Sequence, residues 1–489
     1  MAKRVAVIDI GSNSARMVIY EKTSRFAFHI LHEAKSRVRI SQNAYQNGGN
    51  LQEIPMQRAY DALEDFLCII ASFKARKTLC VATSALRDAP NKGEFLQRVK
   101  SGLGLAIKVI DGEREAYLGA IACANLLPQQ QNALSIDIGG GSTEFSLIHN
   151  KDILTKISLN LGTVRLKELF FDFNNIEGAK KLIDTELDKL STFDATSLIG
   201  IGGTFRAISY AIQTNSNHPI EKLHAYKPNY KEFELFLEKI LDADEEGLKK
   251  LGIKSSRFDV IKPGALILLR VLKRFKIKEL ITSGVGVREG AFLADLLRSS
   301  KDKFPANYNP SVRYLLDAHI DDLSHANLLA KVAKELFDLT SETLKIEKKY
   351  RYELGLAAKL CMSGSTIHFY SYNKHSYELI EDALEFGFTH EQIVLIATLA
   401  RFSKRKLPSS SHIERFEALL PEAYQLSALS YLLSLSVALL SHRPRNPDFT
   451  LHFENGIVEV ASKKSLYLVK ESVEKLEALK NNPIKISFL

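Results

Sequence analysis

Two short stretches of the sequence carry the same polar and small residues in the same order. They are VIDIGSNSARMVIY at residues 7–20 and SIDIGGGSTEFSLI at residues 135–148. In each, an aspartate (Asp9 or Asp137) closes an apolar run, a glycine-containing turn follows, and a second apolar run begins. Each stretch therefore predicts a strand, a small-residue turn and a second strand.

Such a turn suits the binding of an anion. Glycine and serine let backbone N–H groups approach a phosphate closely, and the hydroxyls add donors. An aspartate at the end of the strand can hold a hydrated Mg²⁺ beside that phosphate. Turns of this composition also simply connect strands, but two matched copies favour a phosphate held from both sides.

The two repeats require a scaffold that places them face to face. Before about residue 300, β-type runs alternate with amphipathic helical runs, which predicts α/β layers. Eight runs have strand character: residues 4–11, 15–21, 78–85, 106–112, 133–140, 143–149, 197–203 and 278–284. We predict two related domains, residues 1–125 and 126–300, around one cleft.

Beyond Pro310 helical periodicity dominates, and the tail from about Asp448 has β character followed by a short helix. These patterns predict a third, mostly helical domain at residues 301–489 with a short β/α tail. The uncharged run at residues 423–442 contains five serines. We interpret it as a buried helix and expect no membrane span.

The chain has 489 residues and a formal net charge of +9. A basic balance is typical of proteins with a polyanionic partner, and it also serves solubility. The four cysteines form no metal-like spacing, which predicts reduced core cysteines of a cytoplasmic protein. A strand begins within four residues of the N-terminus, so we expect no signal peptide.

Six motifs together resemble one family. They are AVIDIGSNSARMVI from Ala6, ATSALRDAPN from Ala82, VIDGEREAYLG from Val109, SIDIGGGSTEF from Ser135, LNLGTVRL from Leu159 and SGVGVREG from Ser283. They are similar to the exopolyphosphatase/guanosine pentaphosphate phosphohydrolase (Ppx/GppA) family. That family belongs to the actin, sugar-kinase and heat-shock-chaperone superfamily.

The resemblance implies two ribonuclease-H-like (actin-like) domains around a cleft, followed by a helical HD-like domain. It implies a Mg²⁺-dependent phosphohydrolase that releases terminal phosphate from inorganic polyphosphate, from guanosine pentaphosphate (pppGpp), or from both. It also implies a homodimer. No nucleic-acid motif is present, so we expect no nucleic-acid partner.

The resemblance assigns the catalytic base to Glu115, with Glu113 as the local competitor. From the sequence alone, both would suit a solvated first turn of a helix. Arg87 can give a forked, permanently charged contact to phosphate oxygens. The alternative for Arg87 is a surface salt bridge with Asp88.

By the same resemblance, Asp137 and Glu144, with Asp9 as a further contact, hold Mg²⁺ or orient the water. The implied phosphate loops comprise Asn13, Ser14, Gly139, Gly140, Gly141, Ser142 and Thr143. Arg288, in the last motif, is a further candidate.

The glycines Gly202 and Gly203 stand where this fold class places a turn near an adenosine. They are equally well explained as a plain strand-to-helix turn. Conventional nucleotide-binding motifs are absent from the sequence.

The helical part departs from the HD pattern, because Cys361 and Met362 stand where metal-dependent HD domains carry His-Asp. We therefore expect no metal-dependent activity there. His325 and His375 remain from the pattern, and each is either a relic or a phosphate contact beside Lys374. Basic stretches at residues 401–412 and 441–445 either guide a polyanion or form a solvated face.

Two other functions remain open from the sequence. One is an ATP-dependent kinase or ATPase of the same superfamily, which would need an adenosine pocket and an acceptor site. The other is a non-catalytic sensor of polyphosphate or of pppGpp and ppGpp. The three carboxylates Glu115, Asp137 and Glu144 argue against a sensor.

Overall fold

The computed structural model describes residues 3–489. The chain divides after Asn309 into two compact units, of which the second runs from Pro310 to Leu489. The first unit is built on two five-stranded sheets, and the second is mostly helical. The division into domains at residues 125/126 and 300/301 stays a prediction.

The two sheets of the first unit have the same strand order. The first has the order β3-β2-β1-β4-β5 and the second has the order β8-β7-β6-β9-β10. Each consists of an antiparallel meander of three strands followed by parallel strands. The strands are β1 (Arg4–Ile10), β2 (Ala15–Lys22), β3 (Phe28–Ser36), β4 (Lys77–Ala82), β5 (Lys108–Val109), β6 (Asn132–Ile138), β7 (Thr143–His149), β8 (Asp152–Leu159), β9 (Ser197–Ile201) and β10 (Glu279–Thr282). This repeated topology confirms the predicted pair of α/β domains.

The helices of this unit pack on the two sheets. They are α1 (Glu53–Ser72), α2 (Ser84–Arg87), α3 (Lys92–Leu103), α4 (Gly112–Leu126), α5 (Thr163–Leu169), α6 (Ile176–Leu187), α7 (Gly202–Asn215), α8 (Tyr230–Asp242), α9 (Glu245–Lys250), α10 (Phe258–Phe275) and α11 (Val287–Leu296). Helix α4 begins where the N-cap Asp111 side chain accepts a hydrogen bond of 2.7 Å from the Arg114 N–H. This cap fixes the turn that carries Glu115.

The sequence prediction missed the edge strands β3 and β8. Both consist almost entirely of exposed and half-buried residues. They lack the continuous apolar run that marks the central strands β1 and β6, which are buried on both faces. Their strand conformation is stabilised by pairing with β2 and β7.

Two helices of the first unit are exchanged between its halves. Helix α4 follows the first sheet but packs on β7 and β8 of the second, and the Ser146 hydroxyl donates to the Ala116 carbonyl at 3.1 Å. Helix α11 follows the second sheet but packs on the first, where Phe292 stacks on Tyr20 at 4.2 Å. The two helices cross closely at Gly290, where a Cβ would lie 1.9 Å from the Leu118 carbonyl oxygen.

The second unit contains seven helices followed by a small sheet. The helices are α12 (Pro310–His319), α13 (Leu323–Thr340), α14 (Arg351–Leu360), α15 (Tyr372–Ala383), α16 (His390–Arg401), α17 (Ser410–Arg415) and α18 (Ala423–Leu439). The tail forms β11 (Thr450–Glu454), β12 (Ile457–Ala461), α19 (Tyr467–Glu474) and β13 (Lys485–Phe488). The sequence prediction missed β13, which pairs in parallel with β12 through the α19 crossover.

The uncharged run forms α18, whose residues are buried on nearly every side. It is therefore a buried helix, as predicted. Across residues 3–489, no helix combines the length and apolar character needed to cross a membrane. Three cysteines are buried, but Cys68 is exposed. That part of the prediction was wrong, because Cys68 lies on the side of α1 opposite the buried Phe66 and Ile70.

Candidate active site

The turns of the two repeated hairpins meet in the first unit. A Cβ on Gly140 would lie 2.5 Å from the Ser12 Cβ, and one on Gly141 would lie 2.8 Å from the Ser84 hydroxyl. The second turn therefore approaches the first only because it lacks side chains. Both turns line a cavity of about 150 Å³.

The backbone of these two turns offers N–H groups that could donate hydrogen bonds to a ligand, whereas carbonyl groups of the second turn are bound within the protein. The carbonyl of Gly139 accepts from the Thr163 N–H at 3.0 Å, and that of Gly140 accepts from the Val164 N–H at 2.8 Å. These bonds tie the carbonyls to the start of α5. Within residues 3–489, the N–H groups of Ser12 and Gly140 have no protein acceptor. Enclosed donors of this kind are suited to an anion.

The same hairpin register pairs different charges in the two repeats. Asp9 lies directly across from Arg16, whereas Asp137 lies directly across from Glu144. The first pair combines opposite charges. The second places two carboxylates side by side, which is unfavourable unless a proton or a cation intervenes.

The pKa values reflect this crowding. Burial, and next the Asp137 carboxylate, raise the pKa of Glu144 to about 7. Burial raises the pKa of Asp137 to about 6, although Arg206 lowers it. Ser158 donates to Glu144 Oε1 at 2.8 Å, but Oε2 is buried with no partner of hydrogen-bonding geometry among residues 3–489. This second oxygen can take up a proton or a cation.

Glu115 lies at the wall of the cavity, in the first turn of α4. It is 7% exposed, whereas its competitor Glu113 is exposed. Arg87 Nη1 donates to Glu115 Oε2 at 2.8 Å, and Arg87 Nη2 donates to the Ser142 hydroxyl at 3.3 Å. Arg87 thus joins the carboxylate to the second hairpin, and it also pairs with Asp88 at 3.3 Å.

The environment of Glu115 favours the protonated form. Burial raises the pKa of Glu115 well above its ordinary value, and Glu144 adds to the rise, whereas Arg87 opposes it. A carboxylate with a raised pKa accepts protons more strongly once it is ionised. This arrangement suits a general base.

Cations form the other part of the site. Arg16, Arg206 and Arg288 line the cavity together with both hairpin turns. Partial burial, and next the Arg16 and Arg257 guanidinium groups, lower the pKa of Lys35 to about 8. Such a concentration of positive charge attracts a polyanion.

These cations are held in place by the surrounding residues. Arg206 donates to the carbonyls of Gly202 and Gly284 at 3.0 and 2.9 Å. Arg288 pairs with Glu33 at 2.8 Å. Burial, and next the Arg16 guanidinium, lower the pKa of Arg206 to about 10, so Arg16 and Arg206 repel each other at this site.

The glycine pair forms the turn from β9 into α7. Gly202 has φ +85°, and a Cβ there would lie 2.5 Å from Asp137 Oδ1. Gly203 packs against Arg257, and both glycines line the cavity. The turn thus leaves room beside Asp137, and its role toward a nucleoside stays a prediction.

The structure brings most predicted site residues together. Asp9, Asn13, Ser14, Glu115, Asp137, Gly139, Gly140, Gly202, Gly203 and Arg288 line the cavity. Gly141 contacts Ser84 of its wall, and Ser142 contacts Arg87. Thr143 and Glu144 follow in β7, where the Thr143 hydroxyl donates to the Leu161 carbonyl at 2.5 Å.

Lys374 and His375 lie in the second unit. His375 is half-buried beside Glu378, with 3.5 Å between Nδ1 and Oε2. Lys374 is exposed. Neither lines the cavity of the first unit, and their role stays a prediction.

Sequence reasoning missed Arg16, Arg206 and Arg257. Alignment of the two repeats could have found Arg16, because it stands two residues beyond Ser14, as Glu144 stands beyond Ser142. No local signal marks Arg206 or Arg257, which reach the cavity region from α7 and from the turn before α10.

The donor set fits a hydrated hard cation. Within residues 3–489, no group of three or more His, Cys, Asp or Glu side chains forms a complete cage. Mg²⁺ commonly uses only one or two carboxylates together with water and substrate phosphates. The Asp137–Glu144 pair, with the unpartnered Glu144 Oε2, provides such ligands.

Comparison with known proteins agrees with this geometry. A model of the "Ppx/GppA phosphatase family" matches residues 18–299, and one of "Ppx/GppA phosphatase, domain III" matches residues 309–482. The second description does not identify an HD domain, so that likeness stays a prediction.

Individual proteins match over long stretches. A guanosine-5'-triphosphate,3'-diphosphate pyrophosphatase of Photobacterium profundum is 29% identical over 93% of this chain and 90% of its own length. A Ppx/GppA family member of Aquifex aeolicus is 29% identical and covers 61% of this chain and 99% of its own, with a TM-score of 0.53. An exopolyphosphatase of Cytophaga hutchinsonii is 26% identical over 62% of this chain and 100% of its own, with a TM-score of 0.57. These matches agree with the paired ribonuclease-H-like sheets and their facing hairpin turns. The chain belongs to the Ppx/GppA phosphatase family.

Proposed function

We propose that this chain is a phosphohydrolase that cleaves the terminal phosphoanhydride bond of a polyanionic substrate. The terminal phosphoryl group would lie between the two hairpin turns, where the N–H groups of Ser12 and Gly140 have no protein acceptor among residues 3–489. The observation that carries the proposal is Glu115, which is buried at the wall of this cavity and paired with Arg87. Phosphoryl transfer needs this combination of positioning and charge stabilisation.

Glu115 would take a proton from the attacking water. Its exposure of 7% excludes the solvated role that the first turn of a helix otherwise gives a carboxylate. Arg87 would hold the carboxylate in place and, through Ser142, link it to the second hairpin. The raised pKa of Glu115 favours proton uptake during attack.

Mg²⁺ is the cofactor we propose for this site. Asp137 and Glu144 would hold it with several waters, and Asp9 would contribute on the opposite hairpin. When bound, the ion neutralises charge on the phosphoryl oxygens. It would also relieve the repulsion between the paired carboxylates of the second hairpin.

The substrate class follows from the cations. Arg16, Arg206, Arg288 and the nearby Lys35 exceed what one terminal phosphate requires. They suit a chain of phosphates, as in inorganic polyphosphate, or a guanosine carrying phosphates at both ends, as in pppGpp. The relatives from Cytophaga and Photobacterium carry names for these two activities.

Phosphate release from polyphosphate and from pppGpp, measured in parallel with and without Mg²⁺, tests the proposal. Glu115→Gln should lower kcat by at least about a hundredfold for both substrates. Glu113→Gln is the matched control, because it makes the same change two residues away on an exposed side chain. Equal activity in the two variants would refute the role of Glu115.

Two further measurements distinguish a phosphohydrolase from the alternative functions. Consumption of ATP only in the presence of an acceptor would indicate a kinase. Tight binding without phosphate release in the wild-type protein would indicate a sensor. A cytoplasmic homodimer is part of the same proposal, and sedimentation velocity of the full chain checks its assembly state.

A further inference from the structure

A large cavity lies in the second unit, and none of its lining residues belongs to the candidate active site. Its volume is about 540 Å³, which is within the range of small-molecule sites. It is bounded by the start of α13, the end of α18, the segments that follow α14 and α16, and helix α19. Five parts of the chain that are distant in sequence therefore converge on it.

The two basic stretches noted in the sequence meet at this cavity. Lys404 and Arg405 come from the first stretch, and Arg443 comes from the second. The lining contains these three cations and no carboxylate. The stretches are therefore not merely two separate solvated faces.

Little negative charge balances these cations. Arg443 is within 3.3 Å of Asp322, which lies outside the lining of this cavity. Lys404 donates to the Tyr370 carbonyl at 2.5 Å. Among residues 3–489, neither Lys404 nor Arg405 has a carboxylate at salt-bridge distance, so an anionic ligand would meet unneutralised charge.

The rest of the cavity is apolar and aromatic. Leu329, Met362, Val437 and Leu440 contribute aliphatic or thioether surface. Phe369 also lines the cavity, although it remains 66% exposed. A large exposed aromatic ring beside cations is suited to stacking on a planar ligand.

An unsatisfied polar atom lies in the same place. His325 Nδ1 is buried and has no hydrogen-bond partner among residues 3–489. His325 also lines a neighbouring cavity of about 260 Å³, together with Met362, Phe369 and Arg443. A hydroxyl or amine of a ligand placed between the two cavities would satisfy this atom.

We propose that the second unit binds a nucleoside phosphate in this cavity, with the base against Phe369 and the phosphates at Lys404 and Arg405. An apolar wall facing a cationic wall matches a molecule with a planar body and an anionic end. Inorganic polyphosphate would use the cations and leave the apolar wall and Phe369 without a role. The proposal does not depend on the hydrolysis proposed for the first unit.

Fluorescence titration of the full chain with mant-ADP and mant-GDP tests the site. Arg405→Glu should raise Kd at least about tenfold, because it places a carboxylate beside the ligand phosphates. Lys406→Glu is the matched control, since it makes the same charge change at the next residue, which is exposed and outside the cavity lining. It should change Kd by less than about threefold, as expected for an exposed charge outside the cavity lining.

Phe369→Ala separates base recognition from phosphate recognition. Because the side chain is largely exposed, folding should tolerate its removal, and thermal unfolding checks this. We expect Kd for both nucleotides to rise at least about fivefold, in keeping with loss of base stacking. Competition by unlabelled pyrophosphate should be unchanged in this variant.

Three outcomes would overturn the proposal. If Arg405→Glu and Lys406→Glu bound the mant-nucleotides equally well, the nucleotides would not bind in this cavity. Complete loss of binding in Arg16→Ala would place all nucleotide binding in the first unit. An unchanged Kd in Phe369→Ala, with tripolyphosphate competing as well as ADP, would indicate a site for inorganic polyanions. Phosphate release from polyphosphate, measured in the same samples, tests the hydrolysis proposed for the first unit. The nucleotide site in the second unit can therefore be refuted while that activity is retained.

Discussion

The two hairpins of the first unit share their backbone and differ in the charge across the strand. Both turns close with the same hydrogen bond, from Gly11 N to the Ser14 carbonyl at 3.1 Å and from Gly139 N to the Ser142 carbonyl at 2.9 Å. Two residues beyond those serines, the first hairpin carries Arg16 and the second carries Glu144.

The difference gives the two hairpins different tasks. The first brings a cation to the cavity and balances its own aspartate, so it is suited to binding an anion. The second accumulates two carboxylates, with pKa values raised to about 6 and about 7. It is suited to holding a cation or a proton between its two carboxylates.

Kinetics at the two equivalent positions should separate these tasks. Glu144→Gln should lower kcat by about a hundredfold or more and leave KM within a few-fold, because it acts on transition-state charge. Arg16→Gln should raise KM by about tenfold with a smaller effect on kcat, because it removes one charge-assisted contact to the polyanion. Steady-state phosphate release from polyphosphate measures both. If the two variants changed kcat and KM in the same way, the two hairpins would not have different tasks.

The stability of the same two variants should depend on pH to different degrees. Glu144 has an ordinary pKa of 4.5 and one raised to about 7 in the folded chain. The folded protein therefore retains a proton that the unfolded chain releases, so this carboxyl's contribution is fully present below about pH 4.5 and is lost as the pH rises through about 7. At pH 8, Glu144→Gln should raise the free energy of unfolding by roughly 1–3 kcal/mol.

Urea unfolding between pH 5 and pH 8, in the presence of a chelator, measures this effect. The gain from Glu144→Gln should shrink toward pH 5. Arg16→Gln should show a weaker pH dependence over the same range, because a guanidinium remains charged between pH 5 and pH 8. An equal gain from Glu144→Gln at pH 5 and at pH 8 would contradict the raised pKa of Glu144.

The smallest expected effect concerns the contact between the turns. Gly140→Ala should cost about 1–2 kcal/mol and raise KM a few-fold, because the new methyl group would meet the Ser12 Cβ at 2.5 Å. Gly11→Ala is the equivalent change in the first hairpin, where the nearest atom would be the Ser14 carbonyl at 3.5 Å. It should be close to neutral. Thermal unfolding and KM for polyphosphate check both variants.

Local pattern was sufficient to predict the hairpins and the central strands. Asp9 and Asp137 were recognised because each closes an apolar run before a small-residue turn. The cross-strand partners Arg16 and Glu144 also lie within those motifs. Their significance depends on register, and register is determined only when the strands pair.

Other features depended on tertiary contacts. Arg206 and Arg257 follow no motif, and they join the cation cluster only because α7 and the turn before α10 meet beside the second sheet. The burial of Glu115 also depends on tertiary contacts. The first turn of α4 would be solvated on an isolated helix, but α4 packs on β7 and β8, which places Glu115 close enough to Glu144 for their charges to interact.

The exchange of α4 and α11 has a consequence for folding and for the history of the repeat. A fragment ending near residue 126 would keep α4 without the strands that this helix covers, and it would expose Tyr20 and Phe28, which Phe292 of α11 normally contacts. Each half has a core of its own but leaves apolar surface that only a helix from the other half covers, so the two should unfold in a single cooperative transition. An ancestral half of such a duplication would have been complete only as a pair, with each copy lending its last helix to the other.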